Sequence, residues 1–302
     1  MKSPKNKKTI AVHSGNFHAD DIFSVAVLSI IFDNKIKIIR TRDEVVFPKV
    51  DYVLDVGQQY DPTRNKFDHH QNDPSHKRDN GVPYATFGMV WKKFGKKIVG
   101  SEEGVKIIEE KLVAPIDADD NALEICKDFL CNVRPYTISE YILSCNAVLD
   151  EKNRDKAFKK LVIFAKEIIE MEVKIVRKFL NDHKKIKSIY LLTKDKRIII
   201  LNKDYDLNGV LSDYPEPIFV VKPSLNIKSW KVYAVKVKGT QYKNRVDLPI
   251  SWANKRDNEL AKITGVKDAV YCHHQRYMAI AKSKEGAIKL AELALKEAEN
   301  NK

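Results

Sequence analysis

Two short runs in the first quarter of the chain concentrate residue types that hold metal ions. Residues 13–21 read His-Ser-Gly-Asn-Phe-His-Ala-Asp-Asp, and residues 67–71 read Phe-Asp-His-His-Gln. Together the two runs contain four of the chain's eight histidines. Imidazole and carboxylate groups at this density are the ligands of a hard or borderline divalent ion. The sequence therefore predicts a metal-dependent hydrolytic site built on these runs.

The first run and two aspartates elsewhere supply candidate ligands. A polar Gly-Asn loop separates His13 from His18 and lets both converge with Asp20 on one point. Asp55 follows an apolar segment, where a carboxylate could bridge two ions, although an isolated Asp there also caps turns. Asp117 is a further candidate ligand, with a helix N-cap as its ordinary alternative.

The adjacent histidines His69 and His70 can divide the work of such a site. One would bind metal, while the other would give a proton or hydrogen bond to a phosphoryl oxygen or leaving group. Several carboxylates with several imidazoles suit two Mn²⁺ or Mg²⁺ ions better than a structural zinc, which prefers thiolate. Two ions roughly 3.5–4 Å apart would activate a bridging water and hold both oxygens of a displaced phosphate.

The elements around these runs alternate between strand and helix. A buried strand is predicted at residues 9–12 and further strands at residues 36–39 and 52–54, and residues 66–67 lead into the second run. Helices are predicted from Asp20 or Asp21 as N-cap to residue 32, and over residues 84–94 and 101–112. This alternation predicts an α/β fold with a doubly wound, mainly parallel sheet, whose site lies at the carboxyl ends of its strands.

The second half is predicted to form a smaller α+β domain that binds substrate. Residues 116–148 have a helical pattern, and residues 155–180 form a long amphipathic segment. Strands are predicted at residues 188–192, 197–201, 218–222, 230–237, 269–272 and 277–281, before a closing helix over residues 284–299. We therefore expect a catalytic domain over residues 1–150, a connecting helix over 151–181 and a C-terminal domain over 182–302.

Charge separates the two halves. Residues 1–150 contain 21 Lys and Arg against 22 Asp and Glu, whereas residues 151–302 contain 33 against 19. A basic half joined to a metal-binding half favours a polyanionic substrate, although a lysine-rich proteome and solvated helix surfaces would also give this excess. The candidate substrate contacts are Arg245, His273, Arg276 and Lys282. No apolar run is long enough to span a bilayer, so we expect a cytoplasmic protein.

The sequence resembles a known family. Asp68-His69-His70 is the signature of the DHH phosphoesterase superfamily, and residues 10 to about 295 resemble its Myg-type branch of metal-dependent hydrolases and exonucleases. Residues 13–21 and 67–71 are the specific motifs, and residues 55–57 and 116–121 also match. Residues 247–253 and 284–287 look like later motifs of the family.

The resemblance implies a role for each candidate. It implies that one ion is held by His13, His18 and Asp55. The second would be held by Asp20, Asp55, His69 and Asp117. His70 would be the catalytic histidine, with Asp68 beside it.

The resemblance also implies the reaction. We expect a metal-dependent phosphodiesterase, most specifically a 3′→5′ exonuclease on RNA or short oligonucleotides. One alternative is a hydrolase of a small phosphate compound, such as pyrophosphate or a cyclic dinucleotide. Another is a metal-dependent nucleic-acid-binding protein without activity. A homodimer is compatible with each of these possibilities.

Overall fold

The structure, a computed structural model, describes residues 7–71, 77–126, 133–207, 209–224 and 228–300. The chain divides into two compact units, Met1–Arg177 and Lys178–Lys302. The first unit contains a four-stranded sheet and the second a five-stranded sheet, each packed with helices. The protein is therefore a mixed α/β protein.

The sheet of the first unit is entirely parallel. Its strands are β1 (Lys8–Val12), β2 (Ile36–Arg40), β3 (Tyr52–Leu54) and β4 (Lys66–Phe67). They lie in the order β2-β1-β3-β4, and every neighbouring pair is parallel. The parallel sheet expected for the first half of the chain is confirmed. All its strands therefore end at one edge.

Among the described residues, five α-helices belong wholly to this unit. They are α1 (Ala19–Ile31), α2 (Thr86–Val99), α3 (Glu102–Ile108), α4 (Ala114–Asp120) and α5 (Ile138–Val148). A π-helical turn, Glu109–Val113, joins α3 to α4. The helical pattern predicted over residues 116–148 is present as two helices, α4 and α5, with a break between them. It is interrupted after α4, where Ala122 takes a left-handed conformation with φ of 53°; residues 127–132 lie outside the described part.

A long helix, α6 (Glu151–Leu192), contains the boundary between the units. The strand predicted over residues 188–192 is wrong, because these residues form the last turns of α6. Within the second unit, Ile186 and Tyr190, four residues apart on one face of α6, are both buried in an apolar cluster with Ile199. No helix in the described parts of the chain is long and apolar enough to cross a bilayer.

The second unit is built on a mixed sheet in the order β5-β6-β7-β9-β8. Its strands are β5 (Ile198–Ile200), β6 (Phe219–Ser224), β7 (Ser229–Ala234), β8 (Ala269–Cys272) and β9 (Met278–Ala281). Its own helices are α7 (Asp257–Thr264) and α8 (Lys284–Asn300). Apolar residues of β6, β7 and β9 pack against α8, with Leu290 and Ala291 fully buried.

Candidate metal centre

Three candidate side chains follow directly on the ends of three neighbouring strands. The final residues of β1, β3 and β4 are paired across the sheet. His13, Asp55 and Asp68, which come next in the chain, therefore leave the sheet at the same edge. Asp55 has a φ of 53°, in the left-handed region that Asp tolerates better than most residues. Strand register thus brings one imidazole and two carboxylates together.

The loop after β1 places two more carboxylates at the start of α1. Gly15 has a φ of 89°, which allows the tight turn, and the helix begins after His18. The N-cap is therefore His18, not Asp20 or Asp21 as predicted, and its backbone N–H donates to Asp21 Oδ1 at 3.1 Å. Both aspartates are fully buried in the first helical turn, where the helix dipole favours negative charge.

Asp55 lies between the imidazoles of buried His13 and partly buried His69. Its Oδ2 is 3.1 Å from His13 Nε2, and its Oδ1 is 3.5 Å from His69 Nε2. The same nitrogen of each ring also faces a second carboxylate: His13 Nε2 is 2.9 Å from Asp21 Oδ2, and His69 Nε2 is 3.0 Å from Asp120 Oδ2. A carboxylate with one oxygen directed at each imidazole has the arrangement needed to bridge two cations.

Asp20 is the clearest sign that the cluster is built for a cation. The residue is fully buried, and within the described residues neither carboxylate oxygen has a hydrogen-bond donor. The nearest cationic group in the described parts of the chain is His69 Nε2, 3.9 Å from Oδ2. Burying a carboxylate without hydrogen bonds is strongly unfavourable, and a divalent ion would supply the missing charge. Three groups have one ligand atom per residue within 4.8 Å: His13, His18 and Asp55; His18, Asp20 and Asp120; and Asp55, His69 and His70. The donor set therefore fits divalent ions.

The electrostatics of the cluster agree with this reading. Burial opposes the charged form of His13, but the carboxylates of Asp21 and Asp55, which accept from the protonated ring, outweigh burial and raise its pKa to about 10. His69 has its pKa raised to about 10 in the same way, by Asp120 and Asp55 against burial. Burial and neighbouring carboxylates raise the pKa of Asp20 well above its ordinary value. Without a metal the cluster holds protons, so metal binding would release them.

Asp68 and His70 form an orienting pair at the side of the cluster. His70 Nδ1 is 2.7 Å from Asp68 Oδ1, and Asp68 is buried and also accepts backbone N–H groups of Gln58 and His70. This hydrogen bond is the largest cause that raises the pKa of His70. The His70 side chain is 55% exposed. A fixed, accessible imidazole held by a carboxylate is suited to proton transfer.

The structure does not bring Asp117 to the cluster. Its Oδ2 is 2.6 Å from Arg78 Nη2, and its Oδ1 accepts the backbone N–H of Gly88 at 3.0 Å. The side chain is fully buried in these contacts. Asp120, one helical turn later, instead lies 3.0 Å from His69 Nε2. As a correction to the predicted site, Asp117 lies away from the cluster, and Asp120 is the residue of this helix that lies beside His69.

Asp120 and Asp21 are the two members of the cluster that sequence reasoning missed. Both are adjacent or close to a predicted ligand in an Asp-rich run, residues 20–21 and 117–120. Which aspartate of such a run points inward depends on the phase of its helix. The spacing of Asp120 from Asp117, three residues on the same helix, was the available signal.

The predicted substrate contacts of the second unit have different surroundings. Arg245 donates to backbone carbonyls of Ser212, Pro215 and Pro217, at 2.7, 3.2 and 3.0 Å, so its guanidinium is engaged within the fold.

The remaining three lie on or near β8 and β9. Arg276 Nη2 is 2.9 Å from Asp247, and its backbone N–H donates to the carbonyl of His273. The His273 ring lies 4.5 Å from that of Tyr277. Lys282 is exposed and makes no ion pair with any described residue. The structure thus brings His273 and Arg276 together at one turn.

Comparison with known proteins adds a family. Residues 9–295 match the model of the family MYG1_exonuc, described as Uncharacterised protein family (UPF0160). A MYG1 protein of Schizosaccharomyces pombe is 26% identical over 324 residues, covering 96% of this chain and 98% of that protein. A MYG1 protein of Chlamydia muridarum is 26% identical over 302 residues, covering 96% and 97%. The MYG1 exonuclease of Homo sapiens is 24% identical over 326 residues, covering 95% and 85%.

One solved structure also aligns with this chain, that of an exopolyphosphatase-related protein from Bacteroides fragilis. The alignment covers 97% of this chain and 92% of that one, at 12% identity and a TM-score of 0.22. A score this low supports no comparison of fold or site.

Proposed function

Because the chain belongs to the MYG1_exonuc family, we propose that it is a divalent-metal-dependent exonuclease. Its substrate would be RNA or short oligonucleotides, degraded from the 3′ end, and its fold would be of the DHH type. The observation that carries the proposal is Asp55, which is buried and whose two oxygens face the imidazoles of His13 and His69. The name of the human relative, MYG1 exonuclease, supports the choice of nuclease.

The proposed ligand set keeps most of the residues inferred from the sequence. His13, His18 and Asp55 would hold one ion, and the contact of His13 with Asp21 at 2.9 Å places that carboxylate beside it. The second ion would be held by Asp20, Asp55, His69 and Asp120. Two bound ions, Mn²⁺ or Mg²⁺, would supply an activated water and neutralise charge on the phosphate.

His70 has the proposed role of general acid. Asp68 accepts from Nδ1, so the other ring nitrogen, Nε2, is available to a substrate. During hydrolysis water would add to phosphorus and release one proton to solvent, and the bond from phosphorus to the leaving oxygen would break. That oxygen would take a proton from His70, which solvent would then restore. The raised pKa of His70 keeps the ring protonated to higher pH than an isolated histidine.

The basic second unit is proposed to bind the nucleic-acid strand. His273, Arg276 and Lys282 remain the proposed contacts, because Arg and Lys clamp phosphate without reading sequence. Arg245 is dropped from this set because its donors are directed at backbone carbonyls. The excess of Lys and Arg in residues 151–302 supports a polyanionic substrate.

The test is a comparison of hydrolysis with and without the paired histidines. A 5′-labelled oligoribonucleotide, incubated with the protein and Mn²⁺, should be shortened stepwise. The double variant His69→Ala and His70→Ala should lose this activity while keeping its circular dichroism spectrum. The matched control is His183→Ala in the second half of the chain, which should retain activity. Full activity in the double variant contradicts the proposal, as does hydrolysis of pyrophosphate with no effect on RNA.

A further inference from the structure

Arg42 lies at the rim of the candidate metal centre. Beyond the last residue of β2, the backbone N–H of Thr41 donates to the carbonyl of Val12 at 2.8 Å, so the chain continues alongside β1. This brings Arg42 Nη2 to 3.4 Å from His13 Nδ1. The other nitrogen of that ring, Nε2, faces the carboxylates of Asp21 and Asp55. The guanidinium and the carboxylates of the cluster therefore lie at the two different nitrogens of the His13 ring.

Arg42 differs from every other arginine described in this unit. Each of the others forms an ion pair with a carboxylate or donates to a backbone carbonyl: Arg40, Arg64, Arg78, Arg134, Arg154 and Arg177. Arg42 is exposed, and it has no carboxylate or carbonyl partner anywhere in the described residues. Arg42 is thus a cation beside an acidic cluster. Apart from the contact with His13, its N–H donors have no acceptor among the described residues.

The contact with His13 does not occupy those donors when the ring binds metal. A histidine that coordinates through Nε2 carries its proton on Nδ1 and uses that N–H to fix the ring orientation. The carbonyl of Ser14, 3.2 Å from His13 Nδ1, is the acceptor in place. A protonated Nδ1 cannot accept from Arg42. The guanidinium is then free to turn toward an anion.

We propose that Arg42 forms a phosphate-binding subsite, at which it contacts non-bridging oxygens of a substrate phosphate held at the metal centre. Arginine suits this task because its planar fork matches phosphate oxygens and keeps its charge. The inference rests on the proposed function, since the phosphate is taken to be that of an oligonucleotide. Arg42 is thus a binding residue in the first unit, additional to the basic second unit.

The test measures binding separately from hydrolysis. In a His70→Ala background with Mn²⁺, binding of 5′-fluorescein-labelled oligoadenylate is followed by fluorescence anisotropy over a range of salt concentrations. Arg42→Gln should weaken binding about 10-fold, as expected for loss of one charge-assisted contact. A plot of the logarithm of the binding constant against the logarithm of salt concentration has a negative slope. The magnitude of that slope should decrease by about 0.7, the value for one phosphate contact to a single strand. Arg42→Lys should preserve the slope.

The matched control is Arg64→Gln, an exposed arginine just before β4, at the opposite edge of the sheet from the strand ends. It should leave both affinity and slope unchanged. Isothermal titration with Mn²⁺ should give the same metal affinity in Arg42→Gln as in the parent. Equal slopes in parent and Arg42→Gln, no measurable binding, or a loss of Mn²⁺ affinity would each overturn the subsite. Failure of the unmodified chain to hydrolyse RNA would instead overturn the proposed function.

Discussion

Replacing Arg78 by methionine should lower the free energy of unfolding by about 3–5 kcal/mol at neutral pH, the usual cost of removing one partner from a buried ion pair. The guanidinium is 6% exposed and contacts two carboxylates at 2.6 Å each, those of Glu109 and Asp117. It also donates to the carbonyl of Pro83 at 2.9 Å and lies 4.1 Å from the centre of the Tyr84 ring. Methionine keeps much of the apolar volume but leaves the carboxylates unpaired.

The loss should depend on pH. Burial raises the pKa of Asp117 from an ordinary 3.8 to about 7, even though Arg78 lowers it. A carboxyl whose folded pKa exceeds its unfolded pKa makes the protein less stable as pH rises between the two values. Without Arg78 the folded pKa rises further. The deficit of the variant should therefore be small near pH 5, where Asp117 is protonated, and larger near pH 8.

The assay is guanidinium denaturation at pH 5, 7 and 8, followed by far-ultraviolet circular dichroism. Arg64→Met is the control, because Arg64 is 77% exposed and its pair with Asp61 at 3.5 Å should contribute little. A loss below about 1 kcal/mol at pH 7, or a loss that grows toward pH 5, would refute the role given to the Arg78 network.

Two further predictions concern residues on either side of the cluster. Asp68→Asn should move the alkaline limb of the pH–rate profile of RNA hydrolysis to lower pH, because Asp68 is the main cause that raises the pKa of His70. An unmoved limb would show that His70 is not the acid. Gly88→Ala should destabilise the chain by about 1–3 kcal/mol, since an added Cβ would lie 1.9 Å from Asp117 Oδ2. The melting temperature of Gly88→Ala is compared with that of the control variant Lys97→Ala on the same helix. Equal melting temperatures of the two variants would contradict the prediction.

Part of the candidate site could be predicted from the sequence because it depends only on strand ends. His13, Asp55 and Asp68 each follow an apolar strand, and parallel strands end at one edge of a sheet. The strand pattern alone is therefore enough to predict that these three residues lie near one another. The same reasoning gives no distances, so the position of Asp55 between two imidazoles was expected only as a possibility.

The rest depended on helix phase and on packing between distant segments. Asp117 and Asp120 are equally plausible ligands in sequence, and the choice is made by Arg78, 39 residues earlier, which pairs with Asp117. Residues 188–192 have the apolar content of a strand, but burial of Tyr190 continues the helix. Arg245 was predicted to contact phosphate. The sequence could not show that its guanidinium binds carbonyls of residues 212–217, because these lie about 30 positions away. Tertiary contacts of this kind override local pattern.

The most direct test of the bridged two-ion centre is the number and coupling of Mn²⁺ ions bound per chain. Equilibrium dialysis should give two ions for each chain, and electron paramagnetic resonance should show a spin-coupled pair, as expected for ions joined by a carboxylate. Asp55→Asn should abolish the coupled signal, whereas the surface variant Asp61→Asn should retain it. A single uncoupled Mn²⁺ in the unmodified chain, or a coupled signal that survives Asp55→Asn, would contradict the bridging role of Asp55.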